Sequence, residues 1–343
     1  MIKRNIVVIG ASTGGFEALK KIIKNLPSDF QASIFIVWHM SPDLRGILPD
    51  ILNKLNSIHA ANACDREPIL PNRIYVAPPD YHLLIEDGCV RVTHGPKENR
   101  FRPAVDPLFR SAAYTYRNRV IGIILSGGLD DGTAGLWRIK SGGGMAIVQD
   151  PLDAEAPSMP ESALREVNVD YCVPVDVMAS LLVKLTNEDI SEERPLIRDE
   201  KTRIEINIAA EKNAMENGSL DIGILSPYSC PECNGVLSKI TDGKSFRFRC
   251  HTGHAYSANA LMSSLSVKIE DSLYGAIRGM DESIMFLNQL GDHFAELNEL
   301  QLAAVYFRKA IEIQERSVTI RNAVHSHEPL SPNTLMEELK NEY

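Results

Sequence analysis

The stretch Asn-Ile-Val-Val-Ile-Gly-Ala-Ser-Thr-Gly-Gly at residues 5–15 decides the fold, because a buried strand passes directly into a glycine-rich turn. Its first half is β-branched and continuously apolar, which is typical of a strand that is covered on both faces of a parallel sheet. The residues after Gly15 have helical spacing. Such a strand-turn-helix unit places backbone N–H groups at the carboxyl edge of the sheet, where open α/β folds bind ligands.

The alternation of apolar runs and amphipathic segments continues to about residue 186. The apolar runs predict buried strands at residues 5–9, 34–38, 120–125 and 145–148. The amphipathic segments predict helices at residues 16–25, 42–55, 107–116 and 133–140. We therefore expect an α/β fold with a doubly wound, mostly parallel sheet. Residues 75–77, 83–86 and 89–93 predict a small antiparallel hairpin insertion.

Composition narrows the classes of function. The chain has 343 residues, 44% of them hydrophobic, and a net charge of −9. The first 186 residues carry equal numbers of acidic and basic side chains, so the excess acid lies beyond them. A chain of this charge repels a phosphate backbone, and no stretch is apolar for long enough to span a membrane. We expect a cytoplasmic protein that neither binds nucleic acid nor inserts into a membrane.

The second half of the chain changes character. We expect a catalytic domain at 1–186 and a charged linker at 187–226, in which residues 204–209 could add a strand to a neighbour. A small zinc-ribbon-like module is expected at 227–256. Apolar residues at helical spacing then predict a helical hairpin and tail at 257–343, with a break at Gly291-Asp292.

Three cysteines cluster with two histidines in this module. Cys230 and Cys233 form a Cys-x-x-Cys knuckle, and Cys250 and His254 follow as a second pair. Four such donors suit a tetrahedral, structural Zn²⁺ with no open position for catalysis. His251 is the alternative fourth ligand, and a redox-active Cys-x-x-Cys pair is the alternative use of the thiols.

The glycine-rich turn itself limits the chemistry. It has neither the lysine of a P-loop nor the G-x-G-x-x-G spacing of a dinucleotide site. It does match G-x-S-x-G, a sharp turn that exposes a serine hydroxyl. Ser12 is therefore either a nucleophile or a residue that caps the following helix.

A serine nucleophile needs a histidine base and a carboxylate that orients this base. His39 ends the second predicted strand, and Asp130 and Asp131 follow the strand at 120–125, so all three are expected at the same sheet edge as Ser12. One of the two aspartates is expected only to cap a helix. The order Ser, His, Asp along the chain differs from that of the α/β-hydrolases.

Six ordered blocks resemble the catalytic domain of the chemotaxis protein-glutamate methylesterases of the CheB type. These blocks are VIGASTGG at 8–15, IVWHMSP at 36–42, YVAPPDYHL at 75–83, RPAVDPLFRSAA at 102–113, LSGGLDDGTAGL at 125–136, and AIVQDP at 146–151 followed by MPESAL at 159–164. The resemblance implies a hydrolase of glutamyl methyl esters on methyl-accepting receptors or related signalling proteins, often with glutamine deamidation. It matches Ser12 to the nucleophile, His39 to the base and Asp131 to the carboxylate.

The remaining site residues are expected around this triad. The Thr13 and Gly14 region and the turn at Gly128 and Leu129 are candidates for the oxyanion site. Arg102 and Arg110 are candidates for contacts with an acidic substrate, or for ion pairs on the surface. No cofactor is needed for catalysis.

Three departures from the family pattern qualify the resemblance. The chain starts at the catalytic strand, without the receiver domain of the chemotaxis enzymes. It has Gly127-Gly128-Leu129 where the family commonly has Gly-Met-Gly, and it carries a C-terminal extension. A non-catalytic signalling adaptor and an esterase or amidase with another carboxyl substrate are the alternative functions.

Overall fold

The computed structural model describes residues 2–39, 47–190, 199–330 and 334. The strands are β1 (Ile2–Lys3), β2 (Ile6–Ala11), β3 (Ser33–Trp38), β4 (His59–Asn62), β5 (Arg73–Val76), β6 (His82–Glu86), β7 (Cys89–Thr93), β8 (Val120–Ile124), β9 (Met145–Gln149), β10 (Tyr171–Val173), β11 (Asp189–Ile190), β12 (Ile224–Ser229), β13 (Val236–Asp242), β14 (Ser245–Cys250) and β15 (Ala255–Ser257). The helices are α1 (Gly15–Lys24), α2 (Ile47–Leu55), α3 (Val105–Tyr116), α4 (Thr133–Ser141), α5 (Ser158–Glu166), α6 (Val175–Asn187), α7 (Glu200–Ala209), α8 (Ala258–Glu296) and α9 (Leu300–His325).

A seven-stranded parallel sheet forms the centre of the first half. Its strand order is β10-β9-β8-β2-β3-β5-β4. The predicted α/β fold with a parallel sheet is confirmed. The predicted hairpin insertion is confirmed for β6 and β7, which form their own antiparallel pair. Residues 75–77 were assigned to that hairpin wrongly, because Tyr75 and Val76 lie in β5, between β3 and β4. Both faces of the sheet are covered, so a continuous apolar run is what β5 requires.

Helices cover the two faces of the sheet because successive strand residues point to opposite sides. Val7 and Ile9 of β2 pack in one cluster with apolar residues of α1, α2 and α6. Ile6 and Val8 pack in the other cluster with residues of α3, α4 and α5. The part of the predicted second helix at residues 42–46 lies outside the described residues.

The segment between the sheet and the cysteine module contains a helix where the sequence had suggested a solvated linker. Residues 200–209 form α7, and Glu205 within it is fully buried. The strand considered at 204–209 is therefore wrong. Strands β12 to β15 form a four-stranded antiparallel sheet, and this sheet belongs to the same compact unit, Met1–Leu261, as the parallel sheet.

The second compact unit, Met262–Tyr343, contains most of α8 and all of α9. The expected helical hairpin is present, but the expected break at Gly291 is not, since α8 continues to Glu296. Gly291 is buried, and a side chain there would meet the ring of Phe307. The absence of a side chain at Gly291 thus allows α8 and α9 to approach each other closely. Among the described residues, no helix is long and apolar enough to cross a membrane.

Candidate active site

Three adjacent strands, β8, β2 and β3, bring the candidate catalytic residues to one edge. Ala11 pairs in register with Trp38, so Ser12 and His39 are the next residues on neighbouring parallel strands. The His39 N–H donates to the Ala11 carbonyl at 3.0 Å. The Ser12 N–H donates to the Ser126 carbonyl, in the loop that follows β8, at 2.9 Å. Ser12 is thus fixed between the two loops that carry His39 and Asp131.

His39 and Asp131 are in direct contact. The imidazole Nε2 lies 2.9 Å from a carboxylate oxygen of Asp131, and the two side chains are only 4% and 1% exposed. The other ring nitrogen, Nδ1, is buried and has no hydrogen-bond partner among the described residues. If Nε2 carries the proton and donates it to Asp131, Nδ1 is the basic nitrogen that is left to accept a proton.

Asp131 accepts more hydrogen bonds than its neighbour. The Val105 N–H donates to it at 2.7 Å and the Asn99 side-chain amide at 2.8 Å. Burial opposes ionisation of this carboxyl group, but the hydrogen bonds from His39, Val105 and Asn99 outweigh burial and lower the pKa of Asp131. An ionised Asp131 is the state that orients and stabilises a histidine base.

Asp130 lies beside Asp131 but contacts the C-terminal extension. It accepts hydrogen bonds from the Ser257 hydroxyl at 2.6 Å and the Asn259 amide at 3.0 Å. Burial raises the pKa of Asp130 to about 6, assisted by the charge of Asp131 and opposed by the bond from Ser257. Chain order alone left both aspartates open, and the family resemblance matched Asp131 to the carboxylate; the contact of Asp131 with His39 supports that match.

The candidate oxyanion residues lie in two turns, one directly after Ser12 and one after β8. The Gly15 N–H donates to the Ser12 carbonyl, whereas no backbone hydrogen bond uses the N–H groups of Thr13 and Gly14 among the described residues. Gly128 is exposed and Leu129 has a left-handed conformation, with φ of 61°. Which of these donors faces a substrate stays a prediction.

The two arginines expected at the substrate rim are already paired. Arg110 is 2% exposed and donates to Glu98 at 2.7 Å, so it does not lie at an accessible rim. That expectation is corrected: helix α3 turns this side chain into the protein. Arg102 is 14% exposed, is paired with Asp80 at 2.9 Å, and also donates to the Gly95 carbonyl. The alternative of a surface ion pair fits Arg102, whose partner Asp80 is 46% exposed, but not Arg110, whose pair with Glu98 is buried.

Three residues that the sequence did not single out complete the surroundings of the site. The Asn99 amide bridges Asp131 and Asp106, at 2.8 and 2.9 Å. The ring of Phe101 stacks on His39 with a centroid distance of 3.8 Å. Burial, together with the charge of Asp131, raises the pKa of Asp106 to about 8. Asp106 lies in the RPAVDPLFRSAA block, and Asn99 lies shortly before it. No spacing rule predicts the contact between Asn99 and Asp131, which are 32 residues apart in the chain.

The cysteine cluster is the second candidate site. Ligand atoms of Cys230, Cys233, Cys250 and His254 all lie within 4.8 Å of one another, so this group could hold a metal ion. The sulfurs of Cys233 and Cys250 are 3.6 Å apart. His254 Nδ1 lies 3.7 Å from the sulfur of Cys230 and 3.6 Å from that of Cys250. Tetrahedral Zn²⁺ requires about 3.8 Å between sulfurs and about 3.5 Å between sulfur and nitrogen.

The residues around the cluster also fit a metal. His254 Nε2 lies 3.4 Å from Glu232, the kind of carboxylate contact that orients a metal-binding imidazole. His251 is not part of the cluster; its ring lies against Gly235 of the knuckle. All six cysteines are described and none forms a disulfide.

The fold therefore defines an α/β protein in which a serine, a histidine and an aspartate lie together where adjacent parallel strands end. The family model described as CheB methylesterase matches residues 7–182. The chain belongs to this family, as the resemblance of its six blocks had indicated.

Relatives of known name agree with this assignment. A protein from Leptospira interrogans is 41% identical over 187 residues, which cover 54% of this chain and 97% of that protein. A Methanosarcina mazei protein named protein-glutamate methylesterase/protein-glutamine glutaminase 2 is 35% identical over 53% of this chain and 52% of its own length.

A solved structure is similar as well. The crystal structure of the Thermotoga maritima CheB methylesterase catalytic domain has 36% sequence identity to this chain and a TM-score of 0.52. The match covers 54% of this chain and 100% of that domain. The family-model match ends at residue 182, so the cysteine cluster and both long helices lie outside the part of the chain that this model describes.

Proposed function

We propose that this chain is a protein-glutamate methylesterase that hydrolyses glutamyl methyl esters on a methyl-accepting receptor or a related signalling protein, and that the same site deamidates glutamine. The observation that supports this most directly is the contact of His39 with Asp131 beside Ser12 at the sheet edge. The names of the relatives support the choice of substrate. Residues 1–186 are the proposed catalytic domain.

The proposed reaction is acyl transfer through Ser12. His39 Nδ1 accepts the proton of the Ser12 hydroxyl, and the oxygen attacks the ester carbonyl to form a tetrahedral oxyanion. Methanol leaves with the proton from His39, and water then hydrolyses the acyl-enzyme by the same route. Asp131 holds the imidazole and stabilises its protonated form.

Backbone N–H groups are the proposed oxyanion donors. Thr13 and Gly14 are favoured because their N–H groups are not used by the backbone among the described residues. Loss of one such donor is expected to raise the barrier by about 3 to 4 kcal/mol. No metal or organic group is required in this sequence of steps.

We also propose that Cys230, Cys233, Cys250 and His254 bind a structural Zn²⁺. Three thiolates and an imidazole suit zinc, and four protein ligands leave no position for a substrate. The free cysteines suit a reducing compartment, so we place the protein in the cytoplasm. Metal analysis of the purified protein should find one zinc per chain, and a Cys233→Ser variant should retain much less.

Methanol release from methylated receptor tests the proposed activity. Replacement of Ser12 by alanine should remove nearly all release, because this removes the nucleophile and leaves only the small residual effect of the oxyanion donors and binding. Ser28→Ala, an exposed serine remote from the sheet edge, is the matched control and should behave as the original protein.

Three outcomes would contradict the proposal. Release that survives in Ser12→Ala would exclude the serine mechanism. Hydrolysis of other esters together with no release from receptor would show that the substrate is a different carboxyl derivative. An adaptor without activity would show neither reaction.

A further inference from the structure

A short turn at residues 97–101 lies between the candidate triad and strand β15 of the C-terminal extension. We call it the 97–101 turn. Its backbone pairs with β15: the Ala255 N–H donates to the Lys97 carbonyl at 3.2 Å, and the Asn99 N–H donates to the Ala255 carbonyl at 2.8 Å. The Ser257 N–H donates to the side-chain oxygen of Asn99 at 2.7 Å. The turn thus extends the edge of the cysteine-module sheet.

The other side of the turn contacts the triad. The side-chain amide of Asn99 uses both of its ends. Its oxygen accepts from the Ser257 N–H, and its nitrogen donates to Asp131 at 2.8 Å. Phe101 covers one face of the His39 ring. A single side chain, Asn99, therefore links a backbone N–H of the extension to the candidate catalytic carboxylate.

The conformation of the turn needs this support. Asn99 and Arg100 have φ of 51° and 76°, a region that favours glycine and that costs most other residues of order 1 kcal/mol or more. Glu98 and Phe101 close the turn by two backbone hydrogen bonds, at 3.2 and 2.9 Å. Such a turn persists when surrounding contacts hold it, and here β15 provides them.

Buried charges anchor the turn to the module. Glu98 is 2% exposed and accepts hydrogen bonds from Arg110 of α3 and Arg249 of β14. These guanidinium groups outweigh the effect of burial and lower the pKa of Glu98 to about 2, so its charge is kept. In the chain, Arg249 precedes the cluster residue Cys250, and Ala255 follows His254. A metal in the cluster would therefore fix both residues that hold the turn.

We propose that β15 and its metal cluster are a positioning element of the active site, which acts on Asp131 and His39 through the positioning residues Asn99 and Phe101. This inference rests on the proposed methylesterase function. The extension is then required for full turnover, and zinc occupancy sets the rate of the chemical step. The opposite arrangement, in which the extension blocks the site, predicts faster turnover when the contact is lost.

The first experiment replaces Asn99 by alanine in the full chain. We expect kcat to fall by about 10- to 100-fold with KM within about twofold, because a misplaced carboxylate affects the chemistry more than binding. Ser226→Ala is the matched control. It removes two hydrogen bonds inside the module, from Ser226 to the Leu237 carbonyl and from the Tyr228 N–H to Ser226, without touching the turn. Titration of Ser12 with a fluorophosphonate counts the folded sites, so kcat is expressed per reactive site.

The second experiment combines Asn99→Ala with Cys233→Ser, the zinc-depleted variant. If both changes act through the same turn, each alone lowers kcat, and the double variant is within about twofold of the worse single variant. Effects that multiply would overturn the inference. So would an unchanged kcat in Asn99→Ala, or a rise in kcat in either variant.

The rate of Ser12 phosphonylation separates this inference from the proposed substrate. If the unmodified protein reacts with the reagent but releases no methanol from receptor, the substrate proposal fails. The inference is then decided by phosphonylation alone, which should slow in Asn99→Ala and not in Ser226→Ala.

Discussion

Asp130 and Asp131 are adjacent in the chain, but their pKa values shift in opposite directions because their partners differ. Asp131 accepts hydrogen bonds from His39, Val105 and Asn99, and its pKa is lowered. Asp130 accepts from the neutral groups of Ser257 and Asn259, and burial raises its pKa to about 6. The two carboxyl groups therefore have different surroundings: Asp131 lies beside the candidate base His39, and Asp130 lies at the contact with the extension.

The raised pKa of Asp130 predicts a pH effect on stability. In the unfolded chain this carboxyl group titrates near 3.9, so from about pH 4 to pH 6 the folded state binds more protons and becomes less stable as pH rises. Above about pH 6 this loss of stability is complete, and it lowers the free energy of unfolding by up to about 3 kcal/mol. Asp130→Asn removes this effect.

Urea unfolding at a series of pH values checks this prediction. The unfolding free energy of the original protein, minus that of Asp130→Asn, should decrease between about pH 4 and pH 6 and then stay level. Subtraction cancels the titration of groups common to both proteins. A difference that does not change with pH would show that Asp130 titrates normally.

Among the single elements, helix α8 contains a glycine, Gly291, that allows contact with α9 and does not end the helix. Gly291 costs helix propensity, but a methyl group at this position would lie 2.6 Å from a ring carbon of Phe307 on α9. Gly279, on the same helix, has no heavy atom within 4 Å of such a methyl group. The two glycines therefore form a matched pair.

Alanine at each position should change stability in opposite directions. Gly291→Ala should destabilise the protein by about 1 to 3 kcal/mol, because overpacking exceeds the gain in helix propensity. Gly279→Ala should stabilise it by up to about 1 kcal/mol. Thermal unfolding of the full chain measures both, and stabilisation by Gly291→Ala would show that the helices do not pack closely there.

At the scale of the whole molecule, a buried group of charges joins α7 to the cysteine module. Glu205 of α7 is 0% exposed and contacts both Arg247 and Arg249 of β14. Asp242 of β13 also contacts Arg247, at 2.5 Å. These arginines outweigh burial and lower the pKa of Glu205 well below its usual range. Removal of one buried charge leaves its partners unpaired, which costs more than the pair contributes.

Glutamine at position 205 should therefore destabilise the protein strongly, by about 3 to 5 kcal/mol. Glu200→Gln on the same helix is the control: Glu200 is exposed and forms a surface ion pair with Arg203, so little change is expected. Urea unfolding measures both variants. Equal effects at the two positions would mean that the buried charges do not join α7 to the module.

The part of the fold that could be predicted is the part that depends on local sequence patterns. The β-branched runs of β2, β3, β8 and β9 and the glycine-rich turn predict a parallel sheet, because strands buried on both faces need such sequences. β5 was misassigned and α7 was first considered a strand, because short segments follow their tertiary surroundings more than their own pattern. Glu205 sits in α7 as a buried anion only because arginines from another element face it.

Residue types at short spacing were enough to predict the parallel sheet, the candidates Ser12 and His39, and a cluster of three cysteines with His254 or His251. The family resemblance added Asp131. The folded chain was needed to show that Arg110 is buried, that His254 and not His251 joins the three cysteines, and that the extension reaches Asp131 through Asn99. These are contacts between residues far apart in the chain. They depend on how elements pack, and no local pattern encodes that packing.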